Sequence, residues 1–362
     1  MKTFFDIVQN NEFRESVSKI INTPLTDKIP MLYRYQRFAD YCINDILNNQ
    51  ITLSSIIQFN DVYDSTIHAL GSQNKAYEEW DELKNLCDSA RIAPLLDEEY
   101  YIYLKKKTLQ RESDLNFRLI EYLKFYICCF STDYSSQLMW SHYADSNKGV
   151  CIEYDFSKLP KDHLLKQLVF PVTYLEKPLD LTKMLSDKEN KIYDYSLETA
   201  IMCSTLSKSI EWKYEKEWRI VFPPLDFSKN DKRLTLINFT TPSKIYLGYH
   251  FFKSFFYYNY LDSDFYKEES DKEKEKETEP NKDIETCKYN MELFTKLLNY
   301  IECNNINIAL MIPEIGCYNM TYKNISVNLL KKLFNDFFKN SPKNIRFYYV
   351  FLDSLLNLAN DE

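Results

Sequence analysis

The stretch "KYEKEWRIVF", residues 213–222, sets Glu215 and Glu217 two apart, follows them with Arg219, and runs into the apolar Ile220–Phe222. In an extended chain alternate side chains project to opposite faces, so Glu217 and Arg219 share one face and Trp218 and Ile220 the other. Glu215 joins the face of Glu217 if the extension begins that early. Charges at alternate strand positions ordinarily mark a solvated face. Trp212, Tyr214 and Trp218 border these charges, however, and an aromatic wall that desolvates a carboxylate favours a paired or functional one. Both readings stand on the sequence. Taken as a strand late in the chain, after long helical segments, the stretch makes the fold α+β.

Working outward, residues 3–22 carry apolar side chains at helical spacing, and Pro24 and Pro30 close that helix. "MLYRYQ" and "ITLSS" read as short strands around a helix with Phe38, Cys42, Ile43, Ile46 and Leu47. Residues 65–124 read as a helical insertion. "YICCFS", "GVCIEYDF" and "LKQLVFPVTYL" read as strands, "SSQLMWSHYA" and residues 186–209 as helices, and "EWRIVF", "RLTLINF" and "SKIYLGY" as three successive strands. Residues 267–285 contain almost no apolar side chains and cannot offset their ordering entropy by burial. Beyond them "MELFTKLLNYIE", "INIALMIP", "CYNMTYKNI", "SVNLLKKLFNDFF" and "IRFYYVFL" give helix, strand, strand, helix, strand. The expected organisation is an N-terminal helical extension (1–30), a main α+β domain (31–262) with its insertion at 65–124, a charged insertion (263–286), and a C-terminal part (287–362) completing a split, mixed or antiparallel sheet.

Composition removes several function classes. The 362 residues include only four glycines, far apart, which excludes the glycine-rich dinucleotide fingerprint and the phosphate-cradling P-loop. A net charge of −8 argues against broad nucleic-acid binding. Nine cysteines without a C-x-x-C pair, and no histidine at ligand spacing, give no metal site and suggest reduced thiols of a cytoplasmic protein. No segment has the roughly 20 apolar residues of a membrane span, and the N-terminus lacks the apolar stretch of a signal peptide. No tightly bound cofactor is expected.

The candidate functional residues come from three places. In "IIQFNDVYD", residues 56–64, Asn60 and Asp61 read either as an Asx-type turn or as the polar wall of a pocket. In "SSQLMWSHYADSNKGVCIEYD", residues 135–155, Met139 and Tyr143 share a helix face and Trp140 lies on the adjoining one. That spacing suits a core as well as a cofactor cradle, and His142 reads as a satisfied structural histidine or as a functional one. The third place is the opening stretch, with Glu215, Glu217 and Arg219. No G-x-S-x-G elbow accompanies a Ser/His/Asp set, and Cys128 and Cys129 lie in a strand-like run where inert buried thiols are expected. Asp61, Asp64 and Glu217 are the only set that would serve a metal-dependent nuclease.

Taken in order, "LYRYQ", "ITLSS" with "FNDVYD", "CCFSTDYSSQLMWSHYADSNKGVCIEYD", "VTYL", "WKYEKEWRIVF" and "PSKIYLGY" resemble a bacterial domain-of-unknown-function family over roughly residues 31–250. Its members occur among phage-defence and abortive-infection genes. In that family FND is usually followed by Pro and an acid, whereas Val62 and Tyr63 intervene here, so the resemblance bears on Asn60 and Asp61 more than on Asp64.

The block order is also similar to the ADP-ribosyltransferase fold, with an Arg or His on its first strand, a Ser or aromatic on its second and a Glu, often E-x-E, on a later one. That resemblance implies Glu217, with Glu215, as catalytic carboxylate for cleaving NAD or transferring ADP-ribose. Arg34 would grip the pyrophosphate, Ser54 would wall the nicotinamide site, Tyr33, Tyr35 or Trp140 would stack a ring, and His142 would give support. A carboxylate suits an oxocarbenium-like transition state, and Arg binds pyrophosphate without a glycine loop. The alternative from another class is a non-enzymatic recognition module that binds a protein partner or a phage-derived trigger.

Overall fold

The computed structural model describes residues 10–23, 28–61, 64–65, 67–68, 116–117, 125–179, 196–222, 232–257, 280–339, 343–344 and 347–358. The expected helical piece "EEWDELKNLCDSA", most of "DLNFRLIEYLKF" and residues 263–279 of the charged insertion lie outside these. Within the expected helical insertion 65–124, however, the described Ile67–His68 and Asn116–Phe117 are antiparallel strands, so these two segments satisfy their backbone groups by cross-strand pairing rather than within a helix. The described chain is mixed α+β with parallel and antiparallel strand pairing. It divides into two compact units, one of residues 1–30, 52–132 and 156–236 and the other of 31–51, 133–155 and 237–362.

In the first unit, "EWRIVF" is the strand Glu217–Phe222. It lies between Tyr126–Ser131 and Val169–Pro171, antiparallel to both, in a register that sets Glu217 opposite Ser131 and Arg219 between Cys129 and Phe170. Tyr126–Ser131 also pairs antiparallel with Ile51–Ser55 through Ser54 and Ser55. Every residue of Glu217–Phe222 is buried, which overturns the solvated-face reading of its charges. The helix Asn11–Ile21 buries Phe13, Val17 and Ile21 at i, i+4 and i+8. The Asn10 side chain caps it by accepting from the amides of Glu12 and Phe13 at 2.8 and 3.3 Å.

Two expected elements differ in this unit. "LKQLVFPVTYL" is a one-turn helix, Leu164–Gln167, followed by two short strands, Val169–Pro171 and Thr173–Leu175. His163 caps the turn through Nδ1, which accepts from the Leu165 amide at 3.3 Å. Pro171 has no amide to extend the ladder with Glu217–Phe222, and the next strand pairs instead, in parallel, with Ser207–Ser209. That pairing also ends the described helix Ser196–Thr205 before residue 209.

The second unit runs its strands in the order Leu32–Gln36, Val150–Tyr154, Lys244–Leu247, Asn307–Pro313 and Met320–Ile325. All neighbours are antiparallel except Lys244–Leu247 with Asn307–Pro313. Its core is dense in phenyl rings: Phe251, Phe252, Phe255, Phe294, Phe338 and Phe351 are each fully buried. They come from a 3-10 turn, the helix Pro280–Cys303 and the helices Val327–Phe338 and Tyr348–Leu358. The last helix corrects the strand expected for "IRFYYVFL". Tyr348, Phe351, Leu352 and Leu355 are its buried residues, a spacing of i, i+3, i+4 and i+7 that only a helix presents to one core. Among the described residues, no helix is long and apolar enough to cross a membrane.

Candidate functional site

The first unit gathers five charged side chains: Glu215, Glu217 and Arg219 of the opening stretch, Lys208 shortly before it, and the distant Asp64. Arg219 is fully buried, and each of its five N–H groups donates. Nε and Nη2 reach Glu217 Oε1 and Oε2 at 2.7 and 2.9 Å. Nη1 and Nη2 reach Asp64 Oδ1 and Oδ2 at 2.7 and 2.6 Å, and the remaining Nη1 hydrogen goes to the Thr205 carbonyl at 2.7 Å. One guanidinium thus holds two carboxylates in fork geometry, with the Phe59 ring 5.6 Å from its carbon.

Lys208, on Ser207–Ser209 of the two-stranded sheet formed with Thr173–Leu175, completes the group. Its ammonium lies 2.5 Å from Glu215 Oε2, 3.3 Å from Glu217 Oε2 and 3.5 Å from Asp64 Oδ2, and 4.8 Å from the centre of the Trp212 ring. Burial alone would lower the Lys208 pKa, but the charges of Glu217, Asp64 and Glu215 outweigh it and hold the ammonium protonated well above its usual range. Burial likewise works to raise the pKa of Glu217. Arg219 and Lys208, with hydrogen bonds from Arg219 and the Cys129 thiol, carry it below the usual carboxylate range. Glu217 thereby accepts from Arg219 twice, from Lys208 and from Cys129, which fills the four lone-pair positions of a carboxylate.

Local structure explains the placement. Glu215 ends a 3-10 turn, Ile210–Glu215, and Lys216 takes a left-handed conformation at φ 46° before the strand begins. Ser131 Oγ donates to the Glu215 carbonyl at 2.6 Å, and the Glu217 amide donates to Tyr174 Oη at 2.7 Å. The kink therefore separates the two glutamates. Glu217 points to Arg219 on its own strand face, while Glu215 engages Lys208.

Among the described residues, three carboxylates face two cations, one negative charge in excess. Cys129, the cross-strand partner of Arg219, is exposed, so solvent reaches this face. The surrounding protein and the Glu217 charge still push the thiol pKa well up, desolvation being the larger cause. Its exposure corrects the burial expected at this position, while the raised pKa keeps the sulfur in its unreactive thiol form. Among the described residues, no group of His, Cys, Asp and Glu is arranged to hold a metal.

The other sequence candidates fall elsewhere. Lys208 is the residue of this group that the sequence reading missed. Asp64 was ranked below Asn60 and Asp61, yet Asn60 is exposed, Asp61 is buried, and it is Asp64 that holds Arg219. Ser54 is half-buried on its strand. Arg34 belongs to the second unit, where its Nη1 lies 3.2 Å from Asp45 Oδ2 and Asp45 Oδ1 accepts from Gln50 at 3.3 Å.

Trp140 is fully buried in that unit, donates Nε1–H to the Tyr134 carbonyl at 2.7 Å and meets Tyr35 edge-on at 5.2 Å. The Tyr35 hydroxyl donates to the Asp133 carbonyl at 2.7 Å. Tyr33 packs among Tyr134 and Tyr246. Tyr143 is half-buried and His142 exposed, with ring centres 6.2 Å apart.

Residues 139–220 match the family model DUF2971, a protein of unknown function. The matched segment includes Trp140, His142, Lys208, Glu215, Glu217 and Arg219, while Asp64 and Cys129 precede it. No curated protein and no solved structure matches the chain.

Proposed function

We propose that the solvent-reached face at Cys129 binds a substrate that carries or develops positive charge, and that the reaction it suits is cleavage of the nicotinamide–ribose bond of NAD. The observation that carries this reading is the net negative charge of the buried cluster next to a solvent-reached face. In the cleavage, the C–N bond breaks with its electron pair going to the pyridinium nitrogen, so nicotinamide leaves neutral. Water or another acceptor then forms the new bond at the ribose carbon and loses a proton. The positive charge that grows on the ribose is stabilised by nearby fixed negative charge. Glu215 is the working carboxylate in this scheme, because Glu217 is clamped by Arg219 and serves to position it. A role in bacterial phage defence, with a phage-derived trigger, belongs to the proposal through the family resemblance.

A second reading is favoured by a specific observation. All donors of Arg219 and all acceptor positions of Glu217 are occupied within the protein, as in a structural strut of a recognition module without catalysis. Nicotinamide release by the purified protein, with and without lysate of phage-infected cells, separates the two. Release by the wild type that falls at least about a hundredfold in Glu215→Gln, with folding intact, is expected for an electrostatic catalytic contribution. Absence of release under both conditions, together with no thermal shift on adding NAD, overturns the enzymatic reading in favour of the recognition module.

A further inference from the structure

A second charged group, unrelated to the first, lies in the other unit. The helix Gln137–Tyr143 is followed by Asp145, Ser146 and Asn147, all left-handed at φ 49°, 54° and 66°. L-residues adopt three such conformations in a row only where the surroundings enforce them. The enforcement is visible in the hydrogen bonds: the His250 amide donates to the Asn147 carbonyl at 2.9 Å and the Gly248 amide to the Gly149 carbonyl at 2.9 Å. The Lys148 backbone, between those two acceptors, is therefore fixed against the loop 248–250, and its side chain is exposed.

The approach depends on two glycines. A Cβ at Gly149 would lie 2.2 Å from the Gln36 carbonyl oxygen, and one at Gly248 would lie 2.3 Å from that of Asn147.

Tyr348 joins two more basic groups to the same place. Its hydroxyl donates to the Tyr249 carbonyl at 2.9 Å, so the 3.4 Å contact with His250 has Nδ1–H of the imidazole donating to Tyr348 Oη. That contact fixes the tautomer and leaves Nε2 as the nitrogen that takes up a proton. The Lys253 ammonium lies 5.3 Å from the centre of the Tyr348 ring. Among the described residues neither Lys148 nor Lys253 has a carboxylate partner, and the nearby Asp145 is paired with Arg37 at 3.1 Å. The electrostatics agree: burial lowers the His250 pKa most, and the two charges that lower it further are Lys253 and Lys148.

We propose that Lys148, His250 and Lys253 form a binding subsite for the phosphate group of a small molecule. Three basic groups held together in a chain of net charge −8 run against the average charge of the molecule. A phosphate dianion accepts charge-assisted hydrogen bonds from two ammonium groups and an imidazolium at once. The group spans one phosphate or pyrophosphate. A nucleic-acid backbone requires a longer basic stripe, which the acidic remainder of the chain opposes.

The test uses the full-length protein and inorganic pyrophosphate as probe, following the histidine ring resonances by NMR and assigning His250 through His250→Gln. Pyrophosphate is expected to raise the His250 pKa by about one unit, because the bound anion stabilises the imidazolium. Its affinity is expected to rise as pH falls from 8 to 6, and to drop about tenfold in Lys148→Gln and again in Lys253→Gln, as loss of a charge-assisted contact implies. Lys331→Gln, which removes a lysine paired with Glu302, serves as control and leaves binding unchanged. No response of His250 to millimolar pyrophosphate, or an equal response in the lysine variants, overturns the proposal. So does binding of an RNA oligonucleotide in preference to pyrophosphate.

Discussion

Replacing Arg219 by Met removes the cation that holds two buried carboxylates while preserving most of the side-chain volume. Asp64 and Glu217 then lose both fork contacts, and the Thr205 carbonyl loses its donor. Among the described residues, three carboxylates then face Lys208, two negative charges in excess in a desolvated cluster. Removing one partner of a buried ion pair costs about 3–5 kcal/mol. With two carboxylates orphaned at once, the upper end applies, about 5 kcal/mol. With a urea slope of about 2 kcal/mol per M, the unfolding midpoint falls by about 2 M or more. Equilibrium urea unfolding followed by far-UV circular dichroism measures this.

The companion variant Asp64→Asn, Glu217→Gln, Arg219→Met removes the charges together and is expected to be more stable than Arg219→Met alone, because the cost lies in uncompensated charge. Lowering the pH to about 4 should also relieve the single variant by protonating the orphaned carboxylates. An Arg219→Met protein within about 1 kcal/mol of wild type, or a triple variant less stable than the single one, would refute the cluster as a buried, coupled network.

Other outcomes follow from the same contacts. The folded-state pKa of Glu217 lies below its ordinary 4.5, so its contribution to stability is present above about pH 4.5 and is lost as pH falls through the folded value. Lys208 is raised above its ordinary 10.5, so its contribution is full below that pH and lost only at still higher pH. Urea midpoints from pH 2 to 11 are therefore expected to show a broad plateau with an acid limb that Glu217→Gln reduces. Gly149→Ala should cost more than about 3 kcal/mol, because its Cβ meets backbone oxygens of both Gln36 and Ala144 and no side chain can move aside; thermal unfolding reads this. His142→Ala should stay within about 0.5 kcal/mol of wild type, since the ring is exposed on a short helix. Asn10→Ala should cost about 1 kcal/mol by removing the cap of the helix Asn11–Ile21, measurable in the same urea experiment.

Much of the secondary structure was legible in the sequence by itself. The strands "LYRYQ", "YICCFS", "VCIEY" and "EWRIVF" and the helix over "LLKKLFNDFF" follow from period-2 and period-3.6 apolar patterns, which are local properties. The aromatic surroundings of Glu217 also correctly indicated a desolvated carboxylate. The pattern failed where local preference and tertiary need disagree. Aromatic and β-branched residues made "IRFYYVFL" look extended, but the phenyl-rich core required four of its side chains on one helical face.

The partners of the charges were decided by tertiary structure alone. Nothing near Arg219 in sequence announces Asp64, which lies 155 positions away. Lys208 sits in "SKSIEW", a segment that reads as the end of a helix, and only its parallel pairing with Thr173–Leu175 turns the ammonium toward Glu215 and Glu217. Sequence pattern records which residues prefer burial and at what period. Which buried charges meet depends on strand order and register, and those are set by the packing of the whole unit.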